Sequence, residues 1–162
     1  GLAAGTVGGV LGALIGALSH ALCKFLLFGA VGVAENDLEH PVTTADRGLA
    51  SRYPMAGAVF IAGALGMIGI PPFLGFLGRW RLYFSGMEAG GIVLTIAMAA
   101  ATALALLYYV RVIHVVWLGP ADERIATVPQ RFIWIEGIFI VGMVLLIATG
   151  LFPAILPGLA GR

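Results

Sequence analysis

The sequence has few charged residues, a single cysteine and almost no excess of either charge sign. Charged side chains make up 10% of the 162 residues and hydrophobic ones 60%, and the net charge is +1. Because a soluble domain carries about 25% charged residues, this composition excludes a soluble fold. The balanced charge offers no basic surface for nucleic acid, and one cysteine excludes a disulfide within the chain.

Four long apolar segments make up most of the chain: residues 5–33, 54–86, 91–119 and 132–157. A bilayer core about 30 Å thick is crossed by roughly 20 helical residues, so each segment is long enough to cross. We predict an all-α polytopic transmembrane helix bundle of four membrane segments. The chain does not begin with Met and becomes apolar at once, so we expect it to be a piece of a longer membrane protein.

The connections between the segments differ in basic residues. Link 34–53 and link 120–131 contain arginines, whereas residues 87–90 contain no lysine or arginine. The arginines of the two links are Arg47, Arg52, Arg124 and Arg131. The positive-inside rule predicts that both basic links are cytoplasmic.

The first segment combines a glycine stripe with two cationic residues. Gly8, Gly12 and Gly16 are spaced so that another helix can approach closely. His20 and Lys24 are four residues apart and share a helix face. A lysine this deep in a membrane normally faces a bundle interior or a water-filled path.

Lys24 and His20 are therefore proton-relay candidates, because both side chains can exchange protons. Alternatively, Lys24 only pairs with an acid, which would lie on sequence outside this chain, since Glu136 is the one acid within a segment. Cys23 is predicted to be a small core residue, because neither oxyanion donors nor an orienting acid accompany it.

The second segment is interrupted by two prolines. Pro71 and Pro72 supply no N–H, so the carbonyl groups of Met67 and Ile68 lose their helical partners. Flanking glycines permit an unwound stretch at Gly66, Gly69, Gly75 and Gly78. We predict a broken helix at residues 69–72, a common way to build an ion site.

Arg79 directly follows the break and favours an ion path over a simple kink. The residues next to it also fit a membrane interface with an aromatic belt: Trp80, Arg81 and Tyr83. In the third segment, Arg111 and His114 share a face near the end predicted to be cytoplasmic. They extend a proton path or simply snorkel to the interface.

The first link is acidic but has no recognisable ligand spacing. Its titratable residues are Glu35, Asp37, Glu39, His40 and Asp46. They fit no EF-hand or zinc pattern, so we expect a solvated loop or a surface that docks a soluble partner. We predict neither a metal site nor a cofactor site in this chain.

Three sequence motifs of the chain resemble motifs of one protein family. His20-x-x-x-Lys24 followed by Leu26-Leu27-Phe28 is similar to the HxxxKxLLF helix of antiporter-like, proton-conducting membrane subunits. Residues 69–79 resemble that family's GIPPxxGFxGK break, and Tyr108-Tyr109-x-Arg111 its YYxR helix. Such subunits occur in NADH–quinone oxidoreductase (complex I), membrane-bound hydrogenases and Mrp-type antiporters.

The resemblance covers nearly the whole chain and implies the C-terminal third of a subunit whose N-terminal helices are missing. It implies that Lys24 is a relay on a central hydrated axis, with His20 beside it. The residue after the break is usually lysine in this family, or glutamate in some members, and here it is Arg79. Because arginine stays charged, Arg79 is expected to act as a fixed gate.

The function expected from the resemblance is proton translocation by a non-catalytic membrane subunit of a redox-driven complex. Quinone, flavin or iron–sulfur centres would then reside in partner subunits. The complex would be located in the prokaryotic cytoplasmic (inner) membrane. The alternatives are a sodium/proton antiporter subunit of the Mrp type and a membrane anchor that does not conduct. Partners would be other membrane subunits, the lipid bilayer, and protons or sodium ions.

Overall fold

The computed structural model describes residues 5–121 and 133–151, and its regular structure there is entirely helical. The helices are α1 (Val7–Leu38), α2 (Leu49–Arg52), α3 (Pro54–Ile68), α4 (Leu74–Glu88), α5 (Ile92–Val112) and α6 (Ile133–Leu151). A π-helical turn, Ile113–Trp117, continues α5. The predicted all-α class is confirmed. The described residues do not include residues 152–157 of the fourth predicted segment. They also do not include Arg124 and Arg131 of link 120–131.

Three of the described helices are long and apolar enough to cross a membrane: α1, α6, and α5 with its π-helical turn. The chain is therefore an integral membrane protein. α3 is also apolar but has only 15 residues, which is fewer than a full crossing requires. That α3 and α4 together make one interrupted crossing, and hence the count of four segments, stays a prediction.

The helices on either side of the two prolines end and begin at defined residues. α3 ends at Ile68 and is capped by Gly69, which adopts a left-handed conformation with φ of 81° and donates its N–H to the carbonyl groups of Leu65 and Gly66. Phe73 is extended and immediately precedes α4. Residues 69–73 thus lie outside the two helices, and Pro71–Pro72 is a cis peptide bond.

α1 packs most widely against α4 and α3, and glycines set the distance to α4. A Cβ added to Gly78 would lie 2.9 Å from the Gly16 nitrogen, and one added to Gly12 would lie 3.2 Å from the Gly78 carbonyl oxygen. Gly8, the third member of the stripe, has open space around it. Two of the three predicted glycines therefore lie at a close helix–helix contact.

The core lies where α1 and α3 meet the start of α4, the middle of α6 and the π-helical turn. Cys23 is fully buried there, as predicted for a small core residue, beside Leu26 and Leu146. By contrast, α5 buries none of its residues between Ile92 and Val112. The π-helical turn that continues α5 is anchored by Trp117, which is 1% exposed. The Trp117 ring packs on Phe60, with ring centroids 5.0 Å apart.

Two carboxylates of the first link, Glu35 and Asp37, form hydrogen bonds that fold the link. Asp37 Oδ2 accepts hydrogen bonds from the Arg52 guanidinium at 2.6 Å and the Tyr53 hydroxyl at 2.5 Å. Burial and this bond to Asp37 raise the pKa of Tyr53 to about 12, so the tyrosine remains a donor. Glu35 accepts from the main-chain N–H of Val42 at 2.9 Å.

Replacing Gly75 with alanine is expected to destabilise the helix bundle. The new Cβ would lie 2.0 Å from the Gly66 carbonyl oxygen, and overpacking of this kind costs about 1–3 kcal/mol. Gly32→Ala is the control, because Gly32 lies in α1 with nothing within 4 Å of an added Cβ. Thermal unfolding of the full protein in detergent measures both, and equal melting temperatures would contradict the close approach of α4 to α3.

Candidate functional site

An open cavity of about 260 Å³ lies between α1, α3, α4 and α5. Its polar wall is formed by Ser19, His20 and Arg79. The remaining lining residues are small or apolar: Gly16, Gly66, Met67, Gly75, Leu82, Met98 and Ala101. Polar groups and free volume thus coincide next to the broken segment, which is where the sequence predicts an ion path.

Arg79 bridges the end of α3 and the middle of α5. One terminal nitrogen, Nη2, donates to the Met67 carbonyl oxygen at 2.6 Å, and the other, Nη1, donates to Thr102 Oγ1 at 2.8 Å. In an unbroken helix the Met67 carbonyl would accept from residue 71, which is a proline without an N–H. The guanidinium therefore supplies the donor that Pro71 removes.

The hydroxyl of Thr102 has three polar neighbours. It accepts a hydrogen bond from Arg79 Nη1, and the Met98 carbonyl oxygen lies 3.0 Å away as an acceptor within the same helix. The Tyr83 hydroxyl is hydrogen-bonded to Thr102 Oγ1 at 2.8 Å, and either hydroxyl can be the donor. Thr102 thus contacts both Arg79 and Tyr83 of α4.

Glycines make room for these contacts. A side chain on Gly69 would collide with the Arg79 side chain, whose Cδ would lie 2.4 Å from the new Cβ. At Gly150 in α6, a Cβ would lie 2.0 Å from the Pro72 carbonyl oxygen. Gly69, Gly75 and Gly78, all singled out in the sequence, therefore lie at close contacts around the break.

The two relay candidates occupy different places. His20 lines the cavity, as Arg79 does. Lys24, one turn further along α1, is exposed on the surface of the described helices, and it forms no ion pair or hydrogen bond with the residues that the structure describes. Its surroundings in the whole protein are therefore set by sequence beyond this chain's described residues.

Arg111 and His114 are both exposed, near the far end of α5 and in the π-helical turn. Neither lines the cavity beside Arg79. Their role as an extension of the proton path stays a prediction.

Sequence reasoning missed Thr102 and gave Tyr83 only an interfacial role. Thr102 carried a signal: it is one of two threonines, with Thr95, in the otherwise apolar residues 91–105. A hydroxyl inside a membrane segment needs a partner, but sequence alone does not give that partner when it lies on another helix. The pairing of Thr102 with Arg79 depends on how α4 and α5 lie relative to each other after residues 69–73.

Comparison with known proteins gives consistent results. A family described as "NADH:quinone oxidoreductase/Mrp antiporter, TM" matches residues 1–105. The chain is 31% identical over 162 residues to NADH-quinone oxidoreductase subunit N of Salinibacter ruber, covering 94% of this chain and 32% of that protein. It is 37% identical over 118 residues to subunit N of Desulforudis audaxviator, covering 73% and 24%. The chain thus spans a third or less of the length of these curated relatives.

Replacing Arg79 with methionine is expected to destabilise the protein by about 1 kcal/mol, because the partly buried Met67 carbonyl would lose its side-chain donor. Methionine matches the length of the arginine stem but donates no hydrogen bond. Arg111→Met is the control, because Arg111 is exposed on α5. Thermal unfolding of the full protein in detergent measures the difference, and similar losses in both variants would refute the role assigned to Arg79.

Proposed function

The chain belongs to the NADH:quinone oxidoreductase/Mrp antiporter family of membrane proteins, and from that membership we propose that the protein containing it translocates protons in a redox-driven complex. The relatives cited above are named as subunits of NADH-quinone oxidoreductase, which favours a complex of that type. The chain would be a non-catalytic membrane subunit, with quinone, flavin or iron–sulfur centres held by partner subunits.

The observation that carries this proposal is the cavity lined by His20 and Arg79 inside a bundle of apolar helices. From Ile92 to Thr102, α5 rises about 15 Å at 1.5 Å per residue. If α5 begins near one membrane surface, the Arg79–Thr102 contact lies about halfway through a 30 Å core. A cation and a titratable imidazole beside free volume at that depth are typical of an ion pathway.

In the proposed pathway Lys24 and His20 exchange protons, and Arg79 does not. Lys24 and His20 lie one helical turn apart on α1, close enough to be linked through water. The guanidinium of Arg79 stays charged and is held by Met67 and Thr102. It therefore acts as a fixed positive charge that orders water and sets an electrostatic barrier.

The orientation proposed for the chain places links 34–53 and 120–131 on the cytoplasmic side of a prokaryotic inner membrane. Arg47, exposed in the first link, supports this arrangement through the positive-inside rule. α3 and α4 would then form one interrupted crossing, and Arg111 with His114 would extend the path toward the cytoplasm.

Two other functions remain alternatives. The family description also includes Mrp antiporters, and a subunit of that type would exchange sodium for protons without electron transfer. Copurification of flavin or iron–sulfur subunits would contradict that alternative. A non-conducting anchor is favoured by one observation, that both terminal nitrogens of Arg79 form hydrogen bonds to the protein.

Lys24→Ala in the full complex, reconstituted in proteoliposomes, is expected to reduce proton flux by roughly tenfold or more, because a relay group is lost. Arg47→Ala is the matched control, since it removes an exposed cation from the link and leaves the membrane helices intact. If a fully assembled Lys24→Ala complex still pumps protons at the wild-type rate, Lys24 is a structural charge and not a proton relay.

The wild-type complex, with Arg79 in place, is expected to pump protons at a rate well above that of empty proteoliposomes. A fixed charge beside the path is compatible with conduction by Lys24 and His20. The comparison with Arg79→Lys tests the anchor alternative: a silent wild type whose flux appears only in Arg79→Lys would replace our proposal with the anchor.

A further inference from the structure

The position of α5 depends on very few contacts within the described chain. None of its residues from Ile92 to Val112 is buried. In a membrane, apolar surface gives helices no hydrophobic drive to associate, so polar contacts and close packing decide their positions. Along the middle of α5, the polar contact to another helix is the one that Arg79 and Tyr83 make to Thr102.

The same stretch of α5 forms one wall of the cavity. Met98 and Ala101 line it opposite Ser19 and His20 of α1, and Thr102 directly follows Ala101. Any outward movement of α5 at Thr102 would therefore widen the cavity. The bond from Arg79 to the Met67 carbonyl holds the other end of the same bridge on α3.

We propose that Tyr83 and Thr102 are positioning residues that hold the Arg79 guanidinium across the cavity and thereby set its width and its access to water. This inference rests on the proposed function, because it explains how a fixed charge is kept in place beside a proton path. Thr102 takes part in both bonds, so the loss of its hydroxyl frees Nη1 of Arg79 and the hydroxyl of Tyr83 together.

The chemistry of arginine fits this bridge better than that of lysine. A planar guanidinium presents several N–H groups in fixed directions and can bind two acceptors at once. Here the acceptors are a main-chain carbonyl on α3 and a side-chain oxygen on α5. We therefore infer that arginine at position 79, with Tyr83 and Thr102, joins α3 and α5.

The test is cysteine accessibility in the full-length subunit, in de-energised native membranes and in a background without other reactive cysteines. Ala101→Cys places a thiol on the cavity wall, and a membrane-impermeant, charged methanethiosulfonate reports its access to water. Thr102→Val and Tyr83→Phe are each expected to accelerate labelling by roughly threefold to tenfold, the range expected for losing interhelical hydrogen bonds in a membrane. Thr102→Ser, which keeps the hydroxyl, is expected to label at the parent rate.

Ala45→Cys, exposed in the first link, is the control thiol and should label equally in every variant. Equal labelling at position 101 in the parent and in Thr102→Val would overturn the proposal, as would labelling of Thr102→Ser as fast as that of Thr102→Val. If Thr102→Val does not assemble, the comparison of Tyr83→Phe with the parent decides in the same way.

Because the labelling needs no transport, its result is independent of the proposed function. Faster labelling in Thr102→Val, combined with a wild-type complex that moves no protons, would support the positioning role while refuting translocation. Normal pumping in a complex whose labelling is insensitive to Thr102→Val and Tyr83→Phe would support translocation while refuting the positioning role.

Discussion

Two successive prolines inside a membrane protein deprive two main-chain carbonyl groups, those of Met67 and Ile68, of their usual donors, and the arrangement around Met67 follows from that deficit. Lipid offers no hydrogen bond, so the carbonyl needs a donor from the protein or from water. The Arg79 guanidinium supplies it at 2.6 Å. For this to happen, the start of α4 must lie close enough to the end of α3 for the Arg79 side chain to reach the Met67 carbonyl.

That close approach requires several residues without side chains. Gly69 leaves space for the stem of Arg79, and Gly75 lets the start of α4 approach the Gly66 carbonyl. Gly78 brings the same helix against Gly16 of α1, while Gly150 of α6 approaches Pro72. Gly75, Gly78 and Gly150 thus allow main chain to approach main chain, and Gly69 makes room for a side chain.

A cation used in this way is poorly suited to carry protons but well suited to shape a path for them. Arg79 remains charged and is bonded to α3 and α5, whereas His20 faces the free volume beside it. The proposed roles follow from this difference. Titratable groups on α1 move protons, whereas the arginine supplies a fixed positive charge and keeps α5 in place at the cavity wall. Lys24 faces away from the described core, so its environment depends on the rest of the protein.

The sequence by itself determined the membrane character and the all-helical class, and it predicted an interruption at the prolines, because these follow from hydropathy and from the missing proline N–H. Its motifs also led to the family and to Arg79 as the unusual residue. Only the tertiary structure brought Arg79 to Met67 and Thr102, and assigned Tyr83 to Thr102 rather than to an aromatic belt. The physical reason is that a hydrogen bond between helices depends on how their axes cross and rotate, whereas hydropathy and proline chemistry act within a single segment.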